Sequence, residues 1–270
     1  MPICATIKTP RSGSTETDRE RSWIKKIGGR ENEGKQRKPM KTVGIIGGIG
    51  PESTIEYYRL IIAGYRERQT DGSYPSIIIN SINLTILLGL IMANELDQAT
   101  DHLVNEVQKL ARAGADFGVI AAGTPHIVFD EVRQRSPIPL LSIVEAAGGA
   151  AAKLQLKTIA LFGTRFTMQG RFYKDVFARA GITLVVPEAD EQTYIHDKYM
   201  NDLVNGIILP ETRERLLAIL DKMKERDGIE ALILGGTELS LIIKDAEHNG
   251  MPILDTTKIH VERIVAELLS

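Results

Sequence analysis

From Met40 onward, short runs of β-branched and aliphatic residues alternate with longer amphipathic stretches. This is the pattern of βαβ units around parallel sheets. The first run, Thr42–Ile46, predicts a strand that enters the turn GGIGPEST at 47–54. A helix is expected from about Ser53 to Arg68, with Ile55, Tyr58, Ile61, Ile62 and Tyr65 on its apolar face and Ser53 or Thr54 placed to cap it. Further strands are predicted at Ser76–Asn80, Phe117–Ala121 and Pro139–Ile143, with a helix over about Leu96–Ala113 ahead of the second of these. In the second half, Lys157–Phe162, Leu184–Pro187 and Ala231–Leu234 read as strands, and Asp197–Gly206 and Glu211–Arg226 as helices.

The halves repeat one another. Seventy-five residues separate Gly47 from Ala122, both at strand ends, and 73 separate Gly163 from Gly236. The segments GADFGVIAAGTPH (114–126) and GIEALILGGTELS (228–240) share a form: glycine, an acid, an apolar strand, a turn of small residues, threonine. The expected fold is therefore α/β, with two similar lobes related by a pseudo-twofold axis, each a central, mainly parallel sheet flanked by helices. Ligands of open parallel sheets sit beyond the carboxyl ends of the strands. That rule gathers the loops at 47–53, 122–126, 163–167 and 236–240 around one interlobe cleft, able to offer a group from either side of a ligand.

Composition narrows the possibilities. The 270 residues are 43% hydrophobic and 25% charged, with a formal charge of −2, which removes the electrostatic footprint of a nucleic-acid binder. No run of 18 apolar residues is present to span a bilayer. The sole cysteine, Cys4, excludes an intrachain disulfide or a cysteine zinc site. It lies in a segment, 1–39, with ten basic and five acidic residues and no hydrophobic period, expected to be a disordered basic extension or to lie upstream of a translation start at Met40.

The chemistry-bearing residues cluster at the strand-end turns. In GGIGP, backbone N–H groups of Gly48 and Gly50 could meet a carboxylate or phosphate near a helix N-terminus; the spacing is neither GxGxxG nor a Walker loop. The turn Gly123-Thr124-Pro125-His126 presents a hydroxyl and an imidazole. Thr237 and Glu238 occupy the equivalent place in the second half, where a carboxylate after an apolar strand is either functional or ion-paired across the lobes. His196, His248 and His260 are scattered and no HExxH occurs, so no metal is expected.

KTVGIIGGIGPEST (41–54), GADFGVIAAGTPHIV (114–128), SIVEA (142–146) and ALILGGTELS (231–240) together resemble the landmarks of the aspartate/glutamate racemase family, over essentially all of 40–270. The resemblance implies a cofactor-independent, cytoplasmic, often dimeric amino-acid racemase. It implies a first lobe of 40–143 plus about 255–270, a second lobe of 144–254, and 1–39 outside both. The substrate would be a small carboxylate or amino acid, held by Gly48, Gly50, Gly123, Thr124, Thr164 and Thr237. Racemisation needs a base on one face of the α-carbon and an acid on the other. Most members use two cysteines; the matching positions here are Ala122 and Gly236, with Gly123 at the position of a family asparagine. No arginine lies between Asn80 and Asn94, where members that grip an acidic side chain often carry one. Glu238 and His126 are then the candidate catalytic groups, with Glu145 and Asp190 as further titratable residues. The alternative is a catalytically altered or inactive member that binds a small carboxylate.

Overall fold

The computed structural model describes residues 40–270; the expected basic extension, with Cys4, lies outside the described residues. The first half builds β1 (Thr42–Gly47), α1 (Pro51–Arg68), β2 (Ser76–Ser81), α2 (Leu84–Met92), α3 (Leu96–Arg112), β3 (Phe117–Ile120), α4 (Phe129–Gln134) and β4 (Leu140–Leu141). These strands form one parallel sheet in the order β2-β1-β3-β4. The linking helix α5 (Ile143–Lys153) leads to β5 (Thr158–Phe162), α6 (Arg165–Gln169), α7 (Arg171–Arg179), β6 (Thr183–Val185), α8 (Ala189–Asn201), α9 (Pro210–Asp227), β7 (Ala231–Leu234), α10 (Leu239–Ile242), β8 (Glu247–His248), β9 (Met251–Asp255) and α11 (Thr256–Leu268). The second sheet runs β6-β5-β7-β9-β8, parallel except for β8. Without β8, the two strand orders correspond one to one, so the repeat read from the spacing is a repeat of topology.

Both faces of each sheet are covered, which is why the central strands are almost uninterruptedly apolar. Four clusters of buried side chains fill the layers. Val43, Ile45, Phe117 and Val119 pack with Tyr57, Ile61 and Tyr65 of α1 and with Val261, Ile264 and Val265 of α11. The chain's last helix therefore returns to the first sheet. The other face of that sheet carries Ile46 and Ile120 against Leu103, Val107 and Leu110 of α3. In the second sheet, Ile159, Leu161 and Ile233 pack on α5 and α7, and Phe162, Leu232 and Leu234 on α8 and α9.

Several sequence expectations are corrected. The buried face of α1 is Ser53, Tyr57, Ile61 and Tyr65, four residues apart, whereas Ile55 and Tyr58 are exposed. Pro51 starts that helix two residues early, and neither Ser53 nor Thr54 caps it; Gly50 holds the N-cap position without a side-chain bond. The strand expected at Pro139–Ile143 shrinks to two residues, because the Ser142 hydroxyl accepts from Glu145 N at 3.2 Å and turns Ile143 into a helix start. The strand expected at Leu184–Pro187 is Thr183–Val185. The helix expected at Asp197–Gly206 is Ala189–Asn201, followed by a 3-10 turn at Leu203–Asn205. Its true start is set where the Glu188 N–H donates back to the Glu191 carboxylate. Helix α2 was not expected: LTILLGLIM has no polar face, so it carries no 3.6-residue period, and only Asn83, whose side chain accepts from Thr85 N, marks its start.

A buried histidine ties the last helix to the first lobe. His260 accepts from the Tyr57 hydroxyl at Nδ1 (2.9 Å) and donates from Nε2 to the Leu141 carbonyl (3.2 Å). Burial holds its pKa down at about 3. In the unfolded chain, with an ordinary value near 6.5, it takes up a proton that the native state refuses. Its contribution is thus intact above that unfolded value and is lost as pH falls toward 3. Urea unfolding should show His260→Gln flattening the pH dependence, with about 2 kcal/mol less stability lost between pH 7 and pH 5 than in the parent.

Candidate active site

The carboxyl ends of β1, β3, β5 and β7 converge between the two sheets, and the turns leaving them touch. A Cβ at Gly123 would run into the Gly235 carbonyl oxygen, so the turn after β3 lies backbone against backbone on the turn after β7. Hydroxyls join the same seam: Thr124 Oγ1 lies 3.0 Å from Thr164 Oγ1, and Ser53 Oγ of α1 donates to Glu238 Oε1 at 2.8 Å. They enclose a cavity of about 30 Å³, lined by Gly50, Ala122, Gly123, Thr124, Thr164, Tyr199 and Glu238, with Ile49, Leu84, Leu88, Met200 and Val204 as apolar walls. That volume holds about one or two waters.

Glu238 is the centre of the arrangement. It is 2% exposed, yet among the described residues no Lys, Arg or His pairs with it. Its oxygens accept from Ser53, from Thr237 Oγ1 at 3.0 Å and from the Tyr199 hydroxyl. Burial raises its pKa from the ordinary carboxylate value, and the donated hydrogen bonds oppose that shift without cancelling it. The ion pair across the lobes, one of the two readings open from sequence, is replaced by a hydroxyl network. A buried carboxyl without a counterion is a candidate acid–base group.

Glycines make room for it. Gly50, at φ 89°, faces Glu238 so closely that a Cβ there would overlap Oε1. At Gly236 a Cβ would overlap the Tyr199 ring, lying 2.9 Å from its hydroxyl oxygen. Tyr199, on α8, is 6% exposed; burial first, and the neighbouring Glu238 charge second, raise its pKa well above that of an ordinary phenol. The sequence reading missed Tyr199 because, four residues after Ile195, it has the spacing of a core position.

The other expected residues divide. Thr237 bonds Glu238 directly. Gly48 spends its N–H on Thr54 Oγ1 (2.9 Å) and is turned from the cavity. His126 does not line this cavity. It is buried, stacked on Phe129 at 4.6 Å, and donates from Nδ1 to the Ala122 carbonyl at 3.0 Å. Burial lowers its pKa to about 4. Its imidazole borders a separate cavity of about 220 Å³, beside Ser142, Glu145, Arg171 and Phe172. Glu145 faces that second cavity and pairs with Arg133 at 2.7 Å, and Asp190 lies exposed in the first turn of α8. No three His, Cys, Asp or Glu side chains among the described residues are grouped to hold a metal ion, and no described helix is long and apolar enough to cross a membrane.

A profile of the Asp/Glu/hydantoin racemase family matches residues 46–264, from the end of β1 into α11. The chain belongs to that family. Among characterised relatives, the broad specificity amino-acid racemase RacX of Bacillus subtilis is 24% identical over 234 residues, 84% of this chain and 98% of its own. Among solved structures, an aspartate racemase homologue from Pyrococcus horikoshii is 33% identical with a TM-score of 0.74, covering 86% of this chain and all of that one. The Picrophilus torridus aspartate racemase shares the fold, with a TM-score of 0.68 at 22% identity over 84% of this chain and 94% of that one. Family membership and the two-lobed α/β fold bear out the resemblance carried by the strand-end motifs.

The contact between position 236 and Tyr199 has a measurable consequence. Gly236→Ala should destabilise the protein by about 1–3 kcal/mol through overpacking. In a Tyr199→Ala background the same substitution should cost under about 1 kcal/mol, giving a clear coupling in a double-mutant cycle read by chemical denaturation.

Proposed function

We propose that this chain is a cofactor-independent amino-acid racemase that removes and returns the α-proton of a small amino acid held in the interlobe cavity. The observation that carries this reading is Glu238: a titratable group at the lobe junction, facing the cavity, paired with hydroxyls instead of a cation. A carboxyl whose pKa is raised by burial serves as base when ionised and as acid when protonated. Thr124, Thr164 and the backbone of Gly50 and Gly123 supply polar contacts for the substrate carboxylate. RacX, named as an amino-acid racemase of broad specificity, supports the substrate class.

The cavity volume bounds the substrate. At about 30 Å³ it is too small for any amino acid as it stands. The lobes or the apolar wall must part to admit one and close again to exclude water, as is common for buried proton chemistry. The reading takes the first lobe as 40–143 with about 255–270 and the second as 144–254, following the two sheets and the return of α11. It also takes the working enzyme as a homodimer, supported by the exposed apolar side chains Ile79 on the edge strand β2 and Ile86 and Met92 on α2.

One observation favours the second reading, a protein that binds a carboxylate without turning it over: neither Ala122 nor Gly236 carries a group able to move a proton. Proton NMR of the protein with L- and D-amino acids in D₂O separates the two. Racemisation requires loss of the α-proton signal, and Glu238→Gln should reduce that loss by about 100-fold or more. Binding detected by saturation transfer, with every α-proton retained, would establish the second reading.

A further inference from the structure

We infer that the Tyr199 hydroxyl, coupled to Glu238, is the proton-transfer group of this site, standing where a side chain at position 236 would otherwise act. The inference rests on the racemase reading above and concerns which atom meets the substrate. Two features of the geometry carry it. First, the phenol fills the space beside Gly236: a Cβ built there lies 2.9 Å from both the hydroxyl oxygen and the carbon bearing it, and closer still to the ring edge. The glycine and the tyrosine are complementary: a phenol entering from α8 takes the space that a side chain at 236 would need. Second, Tyr199 lines the cavity and its hydroxyl donates to Glu238, whose remaining bonds come from Ser53 and Thr237. Ser53 and Thr237 thus hold Glu238 beside the phenol at the cavity wall.

The proton balance is simple. With Glu238 ionised, the phenolic oxygen takes the substrate's α-proton as its own proton passes to Glu238. The C–H bond breaks, its electron pair remains on the substrate as an enolate-like carbanion, an O–H bond forms on Glu238, and Tyr199 ends neutral. Reprotonation reverses every step, and the returned hydrogen comes from solvent when the proton on Glu238 has first exchanged with water entering the parted cavity. Tyrosine alone would be a poor base; acting through it, the carboxyl sets the proton affinity. On the opposite side, Ala122 offers no titratable atom, and the hydroxyls of Thr124 and Thr164 are bonded to each other. The acid–base equipment is therefore one-sided. Exchange of the α-proton with solvent, on the enantiomer whose C–H points at Tyr199, must outrun inversion.

The test follows both processes in the full chain, with alanine, serine, aspartate and glutamate of each hand in D₂O. Proton NMR reads exchange and chiral derivatisation reads inversion. The expected result is exchange of one hand at about ten times the rate of inversion or more, with Tyr199→Phe lowering exchange by about 100-fold and leaving KM within about threefold. Incorporating 3-fluorotyrosine at 199, which keeps the ring and acidifies the phenol, should move the alkaline limb of the exchange profile to lower pH even if the phenylalanine variant folds poorly. Exchange at the parent rate in folded Tyr199→Phe, an unmoved profile in the fluorinated protein, or equal rates of exchange and inversion for both hands would each overturn the assignment while leaving the racemase reading standing. A parent protein that exchanges none of the panel would overturn the racemase reading, and this assignment with it.

Discussion

A carboxyl sealed from water without a counterion is the constraint around which this site is built. Removing an ionised carboxylate from solvent costs several kcal/mol unless its oxygens are satisfied. Glu238 meets that cost with three hydroxyls drawn from separate parts of the chain: Ser53 of the first helix, its own neighbour Thr237, and Tyr199 of α8. Because Ser53 belongs to the first half and Glu238 to the second, the solution also binds the lobes together. The glycines follow from it. Gly50 yields the space taken by the carboxyl and Gly236 that taken by the phenol.

The scaffold is symmetric while the filling is not. Strand orders match, Thr54 tucks beneath Gly47 as Thr167 does beneath Gly163, and the β3 and β7 turns meet at Gly123 and Gly235. On this duplicated frame the first lobe offers Ala122 and a threonine, whereas the second offers Thr237, Glu238 and, from α8, Tyr199. Pseudo-symmetry therefore describes how the cavity was framed. It does not describe how charge and protons are distributed within it, since all titratable groups lining it come from the second half.

Legibility in the sequence tracked physical periodicity. Central strands such as Thr158–Phe162 and Ala231–Leu234 announce themselves as apolar runs, and α3 as a well-segregated amphipathic helix. Helix α2, apolar all round, and α8, whose start depends on a bond between Glu188 and Glu191, send no such signal. For the site, the strand-end turns located Glu238, Thr124 and Gly50, because topology alone brings such turns together. They could not show that the imidazole of His126 turns away, since a 3-10 turn rotates it toward Phe129 and ties Nδ1 to the Ala122 carbonyl. Nor could they find Tyr199, which reaches Glu238 from α8 through the space left free at Gly236.

Closure has its own energetic logic. A cavity with room for one or two waters strengthens every hydrogen bond to Glu238, because the screening of bulk water is gone. The walls that could yield are unequal. Parting the lobes breaks the Ser53–Glu238 and Thr124–Thr164 contacts and exposes a carboxyl that the fold has desolvated. Displacing α2 disturbs less: it buries only Leu87 and Ile91, carries exposed Ile86 and Met92, and contributes Leu84 and Leu88 to the cavity without a hydrogen bond to the carboxyl. A displacement confined to α2 therefore leaves the hydrogen bonds of Ser53, Thr237 and Tyr199 to Glu238 in place, with no polar group of that network resolvated.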